Sequence, residues 1–130
     1  MAGVIQQEII IRATPKRVYD ALLDSRQFSA FTGGAAAEIS RDPGGPMSCF
    51  GGMITGRNVE LVPDQRIVQA WRVGNWAPGV YSIVSFELKP EGSNTLLSLR
   101  HAGFPEGTGE HLDAGWHKMY WEPLQKFLAD

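Results

Sequence analysis

The stretch Gly109-Glu110-His111-Leu112-Asp113-Ala114-Gly115-Trp116-His117-Lys118-Met119-Tyr120-Trp121-Glu122-Pro123-Leu124-Gln125-Lys126-Phe127-Leu128-Ala129 decides the fold. At about 3.6 residues per turn, Leu112, Trp116, Met119, Tyr120, Pro123 and Phe127 fall on one stripe. Asp113 and Lys118 lie outside it and Lys126 at its margin. A helix with one aromatic face needs a surface to bury it against. Pro123 has no N–H for the carbonyl of Met119 and crowds that carbonyl, so a bend is expected there. A bent helix can follow a curved sheet.

The preceding residues supply that sheet. Val4 to Arg12 holds Ile5, Ile9, Ile10 and Ile11, a β-branched run that reads as a strand. Thr14-Pro15 ends it and opens a helix, because threonine caps free N–H groups and proline suits the first helical position. Val18, Ala21, Leu22, Phe28 and Phe31 recur at helical spacing; Asp24-Ser25 splits the segment into two short helices and Gly33-Gly34 closes it.

From Ala35 to Gly103 short β-like runs alternate with turn signals at 42–46, 51–52, 62–65, 75–79 and 91–94. Gly51-Gly52 suits a two-residue hairpin with positive φ, and Gly56, inside a strand, marks an expected bulge. With the first strand, seven strands form an antiparallel meander. Val84, Phe86 and Leu88 share one face of their strand, as Leu97, Leu99 and His101 do of theirs. One packed face requires a cover, which the C-terminal helix provides. The fold class is α+β, and residues 1–130 are expected to form a single domain, since 130 residues suit one hydrophobic core.

Composition excludes several function classes. Net charge is −2 and the 12 basic residues are scattered, so no basic stripe serves a nucleic acid or an anionic membrane. No apolar run approaches the ~20 residues that span a bilayer. Met1 to Glu8 has no basic stretch followed by an apolar block, so no signal peptide is expected. Cys49, the one cysteine, allows no internal disulfide, which fits a cytoplasmic address.

The order strand, two small helices, six strands, long helix resembles the helix-grip proteins, the START-like or SRPBCC superfamily. Within it, Thr14-Pro15 with Val18, Gly44-Gly45 through Gly51-Gly52, and Leu61-Val62-Pro63 followed by Ile67-Val68-Gln69-Ala70-Trp71-Arg72 narrow the match. Trp76-Ala77-Pro78-Gly79 and Gly115-Trp116 with Tyr120 and Leu124 extend it. Together they resemble the C-terminal domain of the activator of heat-shock protein 90 ATPase and its bacterial single-domain relatives. The resemblance implies a helix-grip fold with a cavity between sheet and helix for apolar molecules, and a heat-shock protein 90 homologue as a partner. These 130 residues hold no counterpart of the co-chaperone's separate N-terminal domain.

Trp71, Trp76, Phe86, Leu99, His101, Phe104, Trp116, Met119 and Tyr120 are the candidate cavity lining. Aromatics in a domain of this size also serve simply as core. His101 has inward parity and could contact a ligand or transfer a proton; its alternative is a hydrogen bond to backbone or to a carboxylate such as Glu87 or Glu106. No second catalytic group accompanies it, so no catalytic residue is assigned.

Asp113 and His117 share a helical face and read as an exposed ion pair; with His111 pointing elsewhere, no metal site is expected. Cys49, on the same parity as Met47, reads as core. The glycine pairs lack the Gly-Lys-Ser or Gly-Lys-Thr ending of a phosphate loop, and no cofactor is implied.

Three functions are expected, in this order: binding of a small hydrophobic or aromatic ligand, docking on a heat-shock protein 90 homologue, and a cyclase- or aromatase-like reaction through His101. A homodimer is a further expectation, with Trp121, opposite the packed stripe, as an exposed contact.

Overall fold

A computed structural model describes residues 3–129; Met1 and Ala2, where the segment read for a leader begins, and Asp130 lie outside the described residues. Strand β1 (Ile5–Ile11) leads into α1 (Pro15–Leu23) and α2 (Ser25–Phe31). Thr14 Oγ1 accepts from the Arg17 N–H at the start of α1. Asp24 ends α1 and caps α2, its Oδ1 accepting from the N–H groups of Arg26 and Gln27 at 3.0 Å each. Gly33 and Gly34, both at positive φ, turn the chain away after α2.

The meander comes next: β2 (Glu38–Ile39), β3 (Pro46–Cys49), β4 (Ile54–Val62), β5 (Arg66–Val73), β6 (Ser82–Glu91) and β7 (Asn94–Ala102). All seven strands form one curved antiparallel sheet in the order β1-β7-β6-β5-β4-β3-β2. The long C-terminal helix runs in three parts: α3 (Gly109–Gly115), a π-helical segment (Trp116–Trp121) and α4 (Glu122–Leu128). No described helix is long and apolar enough to cross a membrane.

The parities read from β6 and β7 hold: Val84, Phe86, Leu88, Leu97, Leu99 and His101 are all buried. Two local expectations change. The connection after β3 takes four residues, Phe50 to Met53, with Phe50, Gly51 and Gly52 all at positive φ, so it is longer than a two-residue hairpin. The β4 bulge lies between Asn58 and Glu60, not at Gly56. Gly56 instead permits a close approach, since a Cβ there would meet the Ala70 carbonyl oxygen at 1.8 Å.

The largest correction concerns the lid helix. The Glu122 N–H bonds to the His117 carbonyl, five residues back. Such a π turn holds one residue more than an α turn and rotates the rest of the helix by roughly 100°. The inward stripe therefore becomes Trp116, Tyr120, Trp121, Leu124 and Leu128. Trp121, expected outside as a dimer contact, is 2% exposed, and its indole N–H donates to Gln7 Oε1 at 2.6 Å. Met119, expected inside, is 43% exposed. The irregularity falls in the turn before Pro123, which then occupies the first turn of α4, where its missing N–H costs little.

The lid is also stitched to the edge strand. Gln7 donates to Asp113 Oδ1 at 2.7 Å, and Gln125 donates to the Ile10 carbonyl at 2.6 Å while accepting from the Arg12 N–H. Asp113 thus serves β1 rather than pairing with His117. Gln125 thereby satisfies two backbone groups that an open edge strand would otherwise present to another chain.

Candidate functional site

Where α3 and the π segment cross β4 and β5, they leave a cleft of about 580 Å³. Its buried lining comprises Ile54, Trp71, Trp76, Trp116 and Tyr120. Two exposed methionines, Met53 and Met119, stand at its rim with Asn75 and His111. Among the described residues, no Asp, Glu, Lys or Arg lines it. Exposed rim and buried floor together describe a pocket that meets solvent at one end and the core at the other.

Each floor residue has a local reason for its position. Trp71 and Val73 share the inner face of β5, and the register sets Ile54 opposite Val73. Trp76 lies on the loop after β5. That loop is held by Arg72, whose guanidinium donates to the carbonyls of Trp76 (2.7 Å), Ala77 and Val80 (3.4 Å). Trp116 stacks between two other indoles, 5.5 Å and 25° from Trp71 and 5.6 Å and 19° from Trp121. Tyr120 packs on Trp116 at 4.4 Å between ring centroids and meets Phe28 edge-on at 5.6 Å.

The predicted lining divides. Trp71, Trp76, Trp116, Met119 and Tyr120 meet at this cleft. Phe86, Leu99 and His101 are buried but do not line it. Phe104 faces a separate depression of about 560 Å³ between the start of β1 and α3. Phe50, Met53, Ile54, Val73, Leu112 and Gly115 also line the cleft, though the sequence did not single them out as lining. Strand parity with Trp71 was signal enough for Val73; the methionine and glycine positions had none.

His101 is fully engaged. The Trp116 indole N–H donates to its Nδ1 at 3.2 Å, and its Nε2 lies 2.8 Å from Ser82 Oγ. An indole nitrogen only donates, so Nδ1 is the acceptor and Nε2 carries the proton toward Ser82. The Ser82 hydroxyl donates in turn to the Trp71 carbonyl at 3.2 Å. Burial lowers the pKa of His101 to about 4, which keeps the ring neutral in this chain of bonds. Its partners are a tryptophan and a serine side chain rather than the backbone group or carboxylate weighed from the sequence.

Two other groups are tuned by burial. The Cys49 thiol is pushed up to about 12, so it is an inert core residue. The Tyr120 phenol is raised well above its ordinary value by burial, with Cys49 adding to the shift and the nearby Trp71 indole opposing it. The Trp71 Nε1–H nonetheless makes no hydrogen bond among the described residues. It is a buried donor with almost no accessible surface, lying beside the Tyr120 phenol.

A family model described as "Activator of Hsp90 ATPase homolog 1-like protein" matches residues 12–129. The chain is 32% identical over 108 residues to "Activator of 90 kDa heat shock protein ATPase homolog" from Dictyostelium discoideum, covering 82% of this chain and 28% of that protein. To the human "Activator of 90 kDa heat shock protein ATPase homolog 1" it is 26% identical over 113 residues, covering 87% and 33%. It thus spans about a third of the length of the curated relatives it matches.

Among solved structures, an HSP90 activator from Plasmodium falciparum superposes with a TM-score of 0.93 at 24% identity, covering 98% and 97% of the two chains. The Aha1 dimer from Colwellia psychrerythraea gives 0.82 at 20% identity, covering 98% and 96%. Both show the fold. With the family matched along nearly its whole length, this chain belongs to the Activator of Hsp90 ATPase homolog 1-like family and has its helix-grip architecture.

Proposed function

We propose that the cleft beneath α3 and the π segment binds a small hydrophobic or aromatic molecule. The observation that carries this reading is an aromatic-floored cleft of about 580 Å³ that the surrounding side chains leave unfilled. Cavities that hold small ligands commonly measure about 300–1,000 Å³ and combine apolar walls with few polar groups. A core serving stability alone packs closed, because each unfilled methylene forfeits contact energy.

The test is thermal unfolding against a panel of apolar and aromatic metabolites. A ligand at a hundredfold excess over its Kd stabilises the native state by about 2.7 kcal/mol, so a true ligand raises Tm clearly. Gly115 lies on the cleft wall in helical geometry, and a Cβ there meets nothing within 4 Å. Gly115→Phe should fold, fill the cleft and abolish the ligand-induced rise. A panel with no stabilising member, or a rise unchanged in Gly115→Phe, argues against the cleft as the site.

A second reading, docking on a heat-shock protein 90 homologue, is favoured by family membership and by the names its relatives carry. Titration with the cognate chaperone decides it; no binding at tens of micromolar removes it. The Colwellia psychrerythraea relative, described as a dimer, supports a homodimer here, though through surfaces that exclude the buried Trp121.

A further inference from the structure

Resting on the ligand-binding reading, we infer that the cleft takes an amphiphile end-on. Its apolar body lies on the aromatic floor, and its single oxygen-acceptor head stays at the mouth, held by Asn75 and His111. The two ends of the cleft differ in chemistry. Ile54, Trp71, Trp76, Trp116 and Tyr120 form the buried floor, whereas Asn75 and His111 are exposed at the rim. Trp116 has committed its indole N–H to His101, and that of Trp71 has almost no accessible surface. A polar group sunk to this floor would shed its hydration with little in exchange. One held at the mouth keeps water on its outer side.

The donors at the mouth are also free. The side chains of Asn75 and His111 have no hydrogen-bond or ion partner among the described residues. Thr108, also in the lining, already donates to the Pro105 carbonyl at 2.5 Å. Asn75 carries two N–H donors, and an imidazole carries at least one whether neutral or charged. Both therefore suit an oxygen that accepts, in a carbonyl or a carboxylate. Asn75 belongs to the loop after β5 and His111 to α3, so a head that meets both bridges sheet and lid. Met53 and Met119, exposed beside them, give the mouth soft, adaptable side chains that accept bodies of differing outline.

Four probes on one naphthalene frame separate these features. 2,6-Diethylnaphthalene has no acceptor, 2-acetyl-6-ethylnaphthalene and 6-ethyl-2-naphthoate have a head at one end, and 2,6-diacetylnaphthalene has one at each end. The net value of a satisfied hydrogen bond predicts about fivefold tighter binding of the acetyl-ethyl compound than of the diethyl compound. The diacetyl compound, forced to sink its second carbonyl, should bind more weakly than the acetyl-ethyl compound. In a 1H–15N spectrum the acetyl-ethyl compound should move the Asn75 side-chain amide pair, identified by its loss in Asn75→Ala. The diethyl compound should leave that pair in place. The tighter of the acetyl-ethyl and naphthoate probes tells a neutral head from an anionic one.

Asn75→Ala combined with His111→Ala should erase the advantage of the acetyl-ethyl compound over the diethyl one. Both positions are exposed and without a side-chain partner among the described residues, so the fold should hold. Three results would overturn the inference and leave the ligand reading standing: equal affinity of those two compounds, a diacetyl compound that binds as tightly as the acetyl-ethyl one, or an advantage that survives the double variant. Failure of all four probes to bind overturns both.

Discussion

His101 joins lid to sheet through one neutral imidazole. Trp116 on the π segment donates to it, and it donates to Ser82 on β6. Protonation would place a hydrogen on Nδ1, facing the donor it now accepts from. With a folded pKa of about 4 and an unfolded value near 6.5, the unfolded chain binds the extra proton first as pH falls. The contribution of His101 to stability is complete above about pH 6.5 and declines as pH falls toward 4, by up to about 3 kcal/mol. Urea unfolding at pH 7.5 and 4.5 should show that decline in the wild type and a smaller one in His101→Leu. Equal declines would contradict the buried neutral histidine.

A second residue-scale case is Asn58. It is 1% exposed, donates to the Ser40 carbonyl at 2.6 Å and accepts from Gln69 at 3.2 Å, tying the β2–β3 turn to the sheet. Asn58→Ala strands both partners and should cost about 1–3 kcal/mol in chemical unfolding. Inward parity announces His101 in the sequence. Its partners are not legible there, since Ser82 and Trp116 come from other segments whose approach only the folded sheet and lid define.

At the scale of elements, strands and turns are legible nearly in full, because alternation and glycine or proline punctuation are local signals. The lid is legible as a helix, but the facing of its second half is not. A stripe drawn at α-helical period assumes an uninterrupted ladder, and one π turn moves Trp121 inward and Met119 to the cleft rim. Pro123 hints at an irregularity without fixing its kind or its turn.

Two glycines test this description from opposite sides. Gly115→Ala, in open space and helical geometry, should stabilise by about 1 kcal/mol through helix propensity. Gly56→Ala would drive a Cβ into the Ala70 carbonyl and should destabilise by about 3 kcal/mol. Thermal melts of the two variants should move in opposite directions, and a shared direction would contradict the strand approach or the open cleft wall.

For the whole molecule, the lid is tied by hydrogen bonds to the β1 edge on one side and stands over a cleft at β4 and β5 on the other. Near β1, Gln7, Gln125 and Trp121 stitch the helix to the edge strand. Near β4 and β5, the same helix stands over an aromatic-floored cleft. Trp71, Trp76, Trp116 and Tyr120 meet there with Met119 at the rim, while Phe86, Leu99 and His101 are buried away from it. Packing separates a wall from the core behind it in ways that parity alone cannot. The family accounts for this architecture, while the cleft's chemistry belongs to the particular side chains of this chain.

The most direct measurement of the cleft as a working site is a two-dimensional 1H–15N spectrum of the uniformly labelled protein, titrated with the strongest stabilising compound from the thermal panel. Perturbed amides should cluster at Trp71, Val73, Gly115 and Met119 and spare the outer face of the sheet. Perturbation confined to the outer face or the β1 edge, with those four unmoved, would contradict it.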